Sequence, residues 1–322
     1  MTNTSLFTIL NPAPNSIIQA AQALNSGELV AFPTETVYGL GADATNDRAI
    51  ANIFEAKRRP QFNPLIIHVK DQDMAARFAE FNALAQNLAQ RFWPGALTLV
   101  LKRKTNSNLS LVATAGLDTV AVRVPAHGTA QSLLTAMGGP IAAPSANISG
   151  TISPTTADHV RLQFQKLNTL CTLIDGGPCV VGLESTIIDV TGPIPTLLRP
   201  GGISVEEIKS ITGPLAVHSS HNIIAPGQMK SHYAPTVPLR MNVDVNDLRE
   251  GESLLCFGPN MPQNNVLNLS PTGDLIEAAA NLFAMMRRLD TAQCLGIAVT
   301  PIPNTGLGLA INDRLKRAST RP

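Results

Sequence analysis

Residues 57–64, KRRPQFNP, place three adjacent cations, Lys57, Arg58 and Arg59, ahead of Asn63, which lies between two prolines. A cation at the C-terminal end of a helix is explained by the helix dipole alone. Three in a row, followed by a side-chain amide in a rigid turn, are not. Fixed cations and an amide are what a triphosphate site requires: charge to neutralise oxygens and a fork to clamp them. In TVAVRVPAH, residues 119–127, Val120, Val122 and Val124 alternate to one face of a strand and leave Arg123 on the other. An arginine on an apolar strand is rarely buried without a partner. The partner is either an acid of the protein or an anionic ligand, and a small carboxylate suits a guanidinium because the two bind bidentately. His68, in PLIIHV, shares a strand face with Ile66; a lone histidine there is more often a satisfied core residue than a ligand contact.

Three further clusters consist of small polar loops. FPTETVYGLGADA, residues 32–44, carries Thr34, Glu35 and Thr36 ahead of Gly39 and Gly41. It lacks the third glycine and the immediate helix of a dinucleotide fingerprint. It reads either as a hairpin whose threonines cap their own backbone or as a wall of hydroxyls and amides facing a polar ligand. In APSANISGTISPTTADHV, residues 143–160, Ser153 at N-cap and Pro154 at N1 predict a helix start, with Thr155 and Asp158 as an alternative capping box. Such a helix N-terminus can also hold phosphate. In residues 176–204, Ser185 enters a strand and Arg199 leaves the next, the strand ends at which α/β sheets build sites. There is no Ser/His/Asp order, G-x-S-x-G elbow, Walker loop or metal-ligand spacing. The inventory of Lys, Arg, Ser, Thr and Asn suits positioning and charge neutralisation, as in phosphoryl or nucleotidyl transfer, and not covalent catalysis.

The elements that must carry these groups are short strands and helices. SIIQAAQALNSGE predicts a helix closed by Gly27, and NDRAIANIFEAKRRP one that Asp47 can cap and Pro60 ends. Further helices are expected over 72–91, 128–137 and 154–168, among strands at LVAFPT, PLIIHVK, GALTLVLK, TVAVRVP, GPIAAP, TLIDG, STIIDV and PTLLRP. So many strands with few regular βαβ spacings imply an α/β open, mixed sheet with flanking helices. After the Pro/Gly/His-rich stretch APGQMKSHYAPTVP, residues 225–238, the pattern restarts as a second, smaller α/β unit. Its amphipathic helix at 274–290 turns Leu275, Ala279, Leu282, Phe283 and Met286 inward, and another follows from Gly306 with Leu307, Ile311 and Leu315 on one side. The division expected is 1–213, a linker at 214–238, and 239–322.

A chain of 322 residues exceeds what one core usually supports. Its 44% hydrophobic and 15% charged residues exclude disorder, and a net charge of +1 argues against a protein that coats nucleic acid. Four scattered cysteines without a CxxC pair read as reduced thiols, and no stretch reaches the ~20 apolar residues of a membrane span. A soluble cytoplasmic protein is expected.

PTETVYGLG, the K-x-R of Lys57 and Arg59 with NPL, PSANISG, and STIIDV with LLRPG together resemble, in order, the YrdC-like domain of the threonylcarbamoyl-AMP synthase family. SHYAP followed by a small Rossmann-like α/β domain resembles its long, two-domain form. Two positions depart from the pattern: Gly128, where a proline is expected, and Gln228, ahead of SHYAP. The resemblance implies that L-threonine, bicarbonate and ATP give L-threonylcarbamoyl-AMP and pyrophosphate. A separate transferase then uses the product on the adenosine beside the anticodon of certain tRNAs; direct contact with tRNA is not required. It also implies that Thr36, His68, Arg123, Ser185 and the backbone at Ala143 surround the threonine. Arg59, Asn63, Thr119, Ser145, Asn147, Ser153 and Arg199 would hold ATP, with Lys57 beside the phosphates and the carbamate. Tyr233 would reach the nucleotide from the linker. Mg²⁺ is expected on the ATP phosphates, with no protein ligand assigned. The rival reading is an RNA-binding module with a basic concave face and no turnover; the near-neutral charge and 4% aromatic content weigh against it.

Overall fold

The computed structural model describes residues 7–165, 171–217, 224–227, 231–259 and 266–320. The end of the helix expected at 154–168 and parts of the 214–238 linker, Gln228 included, lie outside the described residues.

A 12-stranded mixed sheet forms the first unit. Its strands are β1 (Phe7–Leu10), β2 (Val30–Phe32), β3 (Gly39–Asp43), β4 (Ile66–His68), β5 (Ala79–Glu80), β6 (Leu97–Arg103), β7 (Thr119–Arg123), β8 (Ile141–Ala142), β9 (Cys171–Ile174), β10 (Thr186–Asp189), β11 (Thr196–Arg199) and β12 (Ala216–Val217). They run in the order β1-β9-β2-β3-β8-β4-β7-β6-β10-β11-β12, with β5 on β6, and α1 (Pro14–Asn25), α5 (Gly128–Met137) and α7 (Val205–Thr212) are among the helices of this unit. Parallel and antiparallel pairs alternate irregularly: β4 lies parallel to β7, β7 antiparallel to β6, and β6 parallel to β10.

Pleating decides which side chains can meet. Val120 and Val122 of β7 and Val124 just beyond it enter the main core with Ile50, Ile53 and Phe54 of α2 (Asp47–Lys57) and Leu88 of α4 (Ala83–Phe92). The opposite face carries Ile66, Val100, Ala121, Ile187 and Leu198, and it is covered by Ala225 of the linker. His68 and Arg123 continue that second face, side by side across the β4–β7 pair.

Local capping corrects three expectations. Asn46, not Asp47, caps α2, its side chain accepting from the backbone of Arg48 and Ala49. The helix expected over 72–91 is two helices, α3 (Gln72–Phe78) and α4, because Asn82 caps a new start after β5. Ser153 does not open a helix: α6 (Ala157–Phe164) begins under Thr156, and the Ser153 hydroxyl is taken by Glu184.

The second unit has a parallel four-stranded sheet, β13 (Leu239–Arg240), β14 (Glu252–Cys256), β15 (Val266–Asn268) and β16 (Gly296–Val299), in the order β13-β16-β14-β15. Helices α8 (Leu275–Leu289) and α9 (Gly308–Ser319) pack on it through Ala279, Leu282, Phe283, Met286, Ile311 and Leu315. This core does not stop at the unit's edge, for Val37, Ile152 and Leu183 of the first unit and Tyr233 of the linker belong to it. All four cysteines are buried and free. Among the described residues, no helix is long and apolar enough to cross a membrane.

Candidate active site

Five elements end at one cleft. β2 runs into the Thr34–Thr36 turn, β4 ends at His68, β7 ends at Arg123, β8 leads to Ala143–Ser145, and β11 ends at Arg199. Gly39 bridges to Ser145, which fixes the Thr34 turn against the β8 loop. A side chain built on Gly41 would meet Phe32 and Ile141 at 2.8 Å, so the close strand packing there requires glycine.

Arg123 has found an acid of the protein. Its Nη2 donates to Glu35 Oε1 at 2.6 Å, its Nη1 to Thr36 Oγ1 at 2.8 Å, and its Nε to the Gly95 carbonyl at 3.2 Å. Glu35 also accepts from the backbone N–H of Ala126. Burial alone would raise the Glu35 pKa, but the charge and hydrogen bond of Arg123 outweigh it and hold the carboxyl below its usual range. A guanidinium has five N–H donors, so one remains on each of Nη1 and Nη2 to meet a further acceptor. Glu35 thus orients Arg123 and leaves its fork available. His68 beside it is neutral, pushed down to about 3 first by burial and then by Arg123. Ser185 Oγ lies 2.7 Å from Thr98 Oγ1.

The other half of the cleft is cationic. Lys57, at the end of α2, buries its ammonium under the 145–147 loop, donating to the carbonyls of Ser145 (2.6 Å) and Asn147. Arg58 then takes a left-handed conformation (φ 50°), which turns the chain so that Arg59 enters the cleft. Arg59 donates to the carbonyls of Asn63 and Pro64, and Arg199 to the Ser185 carbonyl and to the Pro226 carbonyl of the linker stretch 225–238, a strap between the units. Among the described residues, none of Lys57, Arg59 and Arg199 forms an ion pair. Burial, reinforced by the neighbouring cation Arg59, pushes Lys57 well down; burial and Arg199 push Arg59 down to about 9. Three buried cations outside any ion pair among the described residues are costly to keep, and an anion in the cleft would relieve them.

The strap roofs this space with Pro226, Gly227, His232 and Tyr233. The cavity beneath is about 50 Å³, well short of the roughly 300–1,000 Å³ of a ligand cleft. Tyr233 is an aromatic at φ 63°, a left-handed conformation costing an L-residue about 1–2 kcal/mol. Its ring is held by stacking on Phe283 at 5.5 Å and by His232 at 4.0 Å.

Of the residues expected at a site, Thr36, Arg59, His68, Arg123, Ala143, Ser145, Ser185, Arg199 and Tyr233 line this cleft. Lys57 lies just beneath it. Asn63 and Asn147 are buried nearby, and Asn63 Oδ1 and Nδ2 and Asn147 Oδ1 have no hydrogen-bond partner among the described residues. Ser153 stands one step back, donating to Glu184 Oε1 at 2.6 Å. Thr119 begins β7, at the end away from Arg123 and paired with Lys102, and is not brought to the cleft. Sequence reasoning did not assign Glu35, Glu184 or His232 to the site. For the two acids, the signal was adjacency to Thr36 and Ser185 in the same loops. His232 Nδ1 and His68 Nδ1, both buried, also have no partner among the described residues. No group of three His, Cys, Asp or Glu among the described residues could hold a metal, and Glu35 and Glu184 are each committed to an arginine.

A mixed α/β sheet whose strand ends enclose buried cations, roofed by the linker to a second α/β unit, defines an anion-binding α/β protein of two units. The chain belongs to the Sua5/YciO/YrdC family: residues 22–201 match the family model described as "Telomere recombination". Residues 203–320 match the model described as "Threonylcarbamoyl-AMP synthase, C-terminal domain". The chain is similar to the threonylcarbamoyl-AMP synthase of Bacillus subtilis, 40% identical over 94% of this chain and 92% of that one. It is similar to that of Pyrococcus abyssi, 42% identical over 93% of each. The crystal structure of P. abyssi Sua5 complexed with L-threonine superposes with a TM-score of 0.89 at 41% identity, covering 97% of both chains.

Proposed function

We propose that this protein makes L-threonylcarbamoyl-AMP and pyrophosphate from L-threonine, bicarbonate and ATP, for threonylcarbamoyl modification of the adenosine next to the anticodon in tRNA. The observation that carries this reading is the pairing, in one cleft, of buried cations that form no ion pair among the described residues with an arginine that Glu35 has oriented toward a carboxylate.

In this reading the threonine carboxylate meets the two remaining N–H groups of Arg123, with Thr36, neutral His68, Ser185 and Ala143 around it. The triphosphate lies along Arg59, Lys57 and Arg199, and Asn63, Asn147, Ser145 and Ser153 complete the nucleotide side. The threonine amine attacks the carbon of bicarbonate, and water is lost in forming the carbamate. A carbamate oxygen then attacks the α-phosphorus, the bond to the bridging oxygen breaks, and pyrophosphate leaves. The cations work by holding charge where it develops. The space under Tyr233 and His232 is about 50 Å³, so in this reading they lift to admit ATP; because carbamates decompose in water, they then act as a roof that keeps it out. No protein ligand is assigned to Mg²⁺ in this reading; it would arrive on the ATP phosphates and keep waters as ligands. Handing the product to a separate transferase, and activity in the cytoplasm, belong to the same reading.

Purified protein incubated with ATP, Mg²⁺, threonine and bicarbonate should release pyrophosphate only when both threonine and bicarbonate are present; release without either refutes the proposal. Arg123→Ala should raise the KM for threonine about 100-fold, and Arg59→Ala should act mainly on ATP. An effect of both confined to RNA binding would favour the RNA-module reading.

A further inference from the structure

We propose that Arg314, on α9 of the second unit, is a positioning residue of the active site, clamping the Tyr233 roof and Glu184 together so that the cleft closes. This deepens the function proposed above and rests on it. Arg314 is the largest fully buried side chain among the described residues, at 0% exposure, although it belongs to a different unit from the cleft. Its Nε donates to Glu184 Oε2 at 2.9 Å and its Nη1 to the Pro200 carbonyl at 2.8 Å, one residue beyond Arg199. Its guanidinium carbon lies 5.3 Å from the centre of the Tyr233 ring. Glu184 lines the cleft, and its other oxygen accepts from Ser153. One side chain therefore touches the roof and the floor of the same site.

The rest of α9 supports the clamp. Asp313 accepts from Arg314 Nη1 at 2.8 Å and from Arg317 Nε at 3.0 Å, and the Arg317 carbonyl accepts from the backbone N–H of His232. Stability alone does not account for this arrangement, because a buried ion pair is often no better than apolar residues of the same volume. The surroundings already supply such residues in Phe283, Leu282 and Ile311. Arg314 Nη2 has no partner among the described residues, so the guanidinium is not even fully used as a structural fork. What the arginine adds over an apolar side chain is a fixed relation between Tyr233, held in a left-handed conformation, and the loop bearing Glu184 and Ser185. The second unit then contributes geometry to catalysis as well as anchoring the strap.

The test uses the full-length chain with Arg314→Met and Arg314→Lys. The Ala234 N–H donates to the Gly150 carbonyl at 2.8 Å, so its hydrogen exchange reports strap docking. In Arg314→Met we expect that exchange to accelerate about tenfold or more, while core amides of β6 and β7 stay protected. Pyrophosphate release should fall about 30-fold in kcat with threonine affinity changed less than about twofold, and Arg314→Lys should recover part of the rate. Because methionine leaves Glu184 buried and unpaired, Arg314→Met with Glu184→Gln supplies a charge-balanced background in which strap exchange must still accelerate. Unchanged Ala234 exchange in folded Arg314→Met, or in Arg314→Met with Glu184→Gln, overturns the proposal, as does an acceleration spread evenly over both units. Equal loss of threonine binding and rate overturns it too. Absence of threonine-dependent release from the wild type would instead sink the functional reading, while the exchange result would still stand.

Discussion

Arg123 illustrates how one side chain serves two demands. Its charge is balanced by Glu35, so the folded protein tolerates its burial, yet one N–H on each terminal nitrogen stays uncommitted. His68 and His232 follow a different logic, because both are buried neutral, pushed down to about 3 chiefly by burial. The sign of the resulting pH dependence is set by the unfolded state, where each histidine protonates near 6.5 while the folded state resists. Folding stability therefore declines as pH falls from about 6.5 toward 3 and is insensitive to these groups above that range. His232→Gln should flatten the loss between pH 7 and pH 5 by up to about 2 kcal/mol, measured by urea unfolding at both values. A loss as steep as in the wild type would show that His232 is not buried neutral. Legibility at this scale was uneven. The cations of KRRP and the lone arginine of TVAVRVP stand out by type, whereas His68 and Glu35 resemble ordinary core and turn residues until their partners are known.

Among elements, the strap from Ala225 to Pro238 is the one whose role the fold transforms. Its prolines and Gly227 read as helix and strand breakers, and they do break regular structure, but Ala225 covers an apolar sheet face and Tyr233 enters a core. Gly227 sits at φ 84°, and a Cβ there would lie 2.7 Å from Arg199 Cδ. Gly227→Ala should therefore push the strap off Arg199, lowering kcat about tenfold with a melting temperature shifted by only a few degrees. Steady-state pyrophosphate release and a thermal melt would check this; wild-type turnover would mean that the strap does not need its close approach. The helix starts show why boundaries were harder to read than elements. Asn46 and Asp47 are adjacent capping residues, and only the backbone decides between them. Ser153-Pro154 has the composition of a helix start, but a hydroxyl bonded to a carboxylate 31 residues away cannot also cap.

For the whole molecule, the core of the second unit is common to both units, for Val37, Ile152 and Leu183 of the first reach into it. Cutting the chain after about residue 215 would expose those three residues and leave Glu184 without Arg314. The first unit should still fold on its main core and bind threonine through Arg123, while pyrophosphate release falls about 100-fold or more. Full activity in that truncation would reduce the strap to a tether. The sequence by itself determined the mixed α/β class, the second α/β unit and most of the polar groups at the cleft, because periodicity, turn residues and isolated charges are local signals. Only the tertiary structure decided that Arg123 is held by Glu35, that Ser153 serves Glu184 instead of a helix, and that Arg314 of the second unit reaches the roof of the first. Each of these depends on which distant residue supplies the missing charge or hydrogen bond, a choice made when sheets stack and units dock, not by neighbours along the chain.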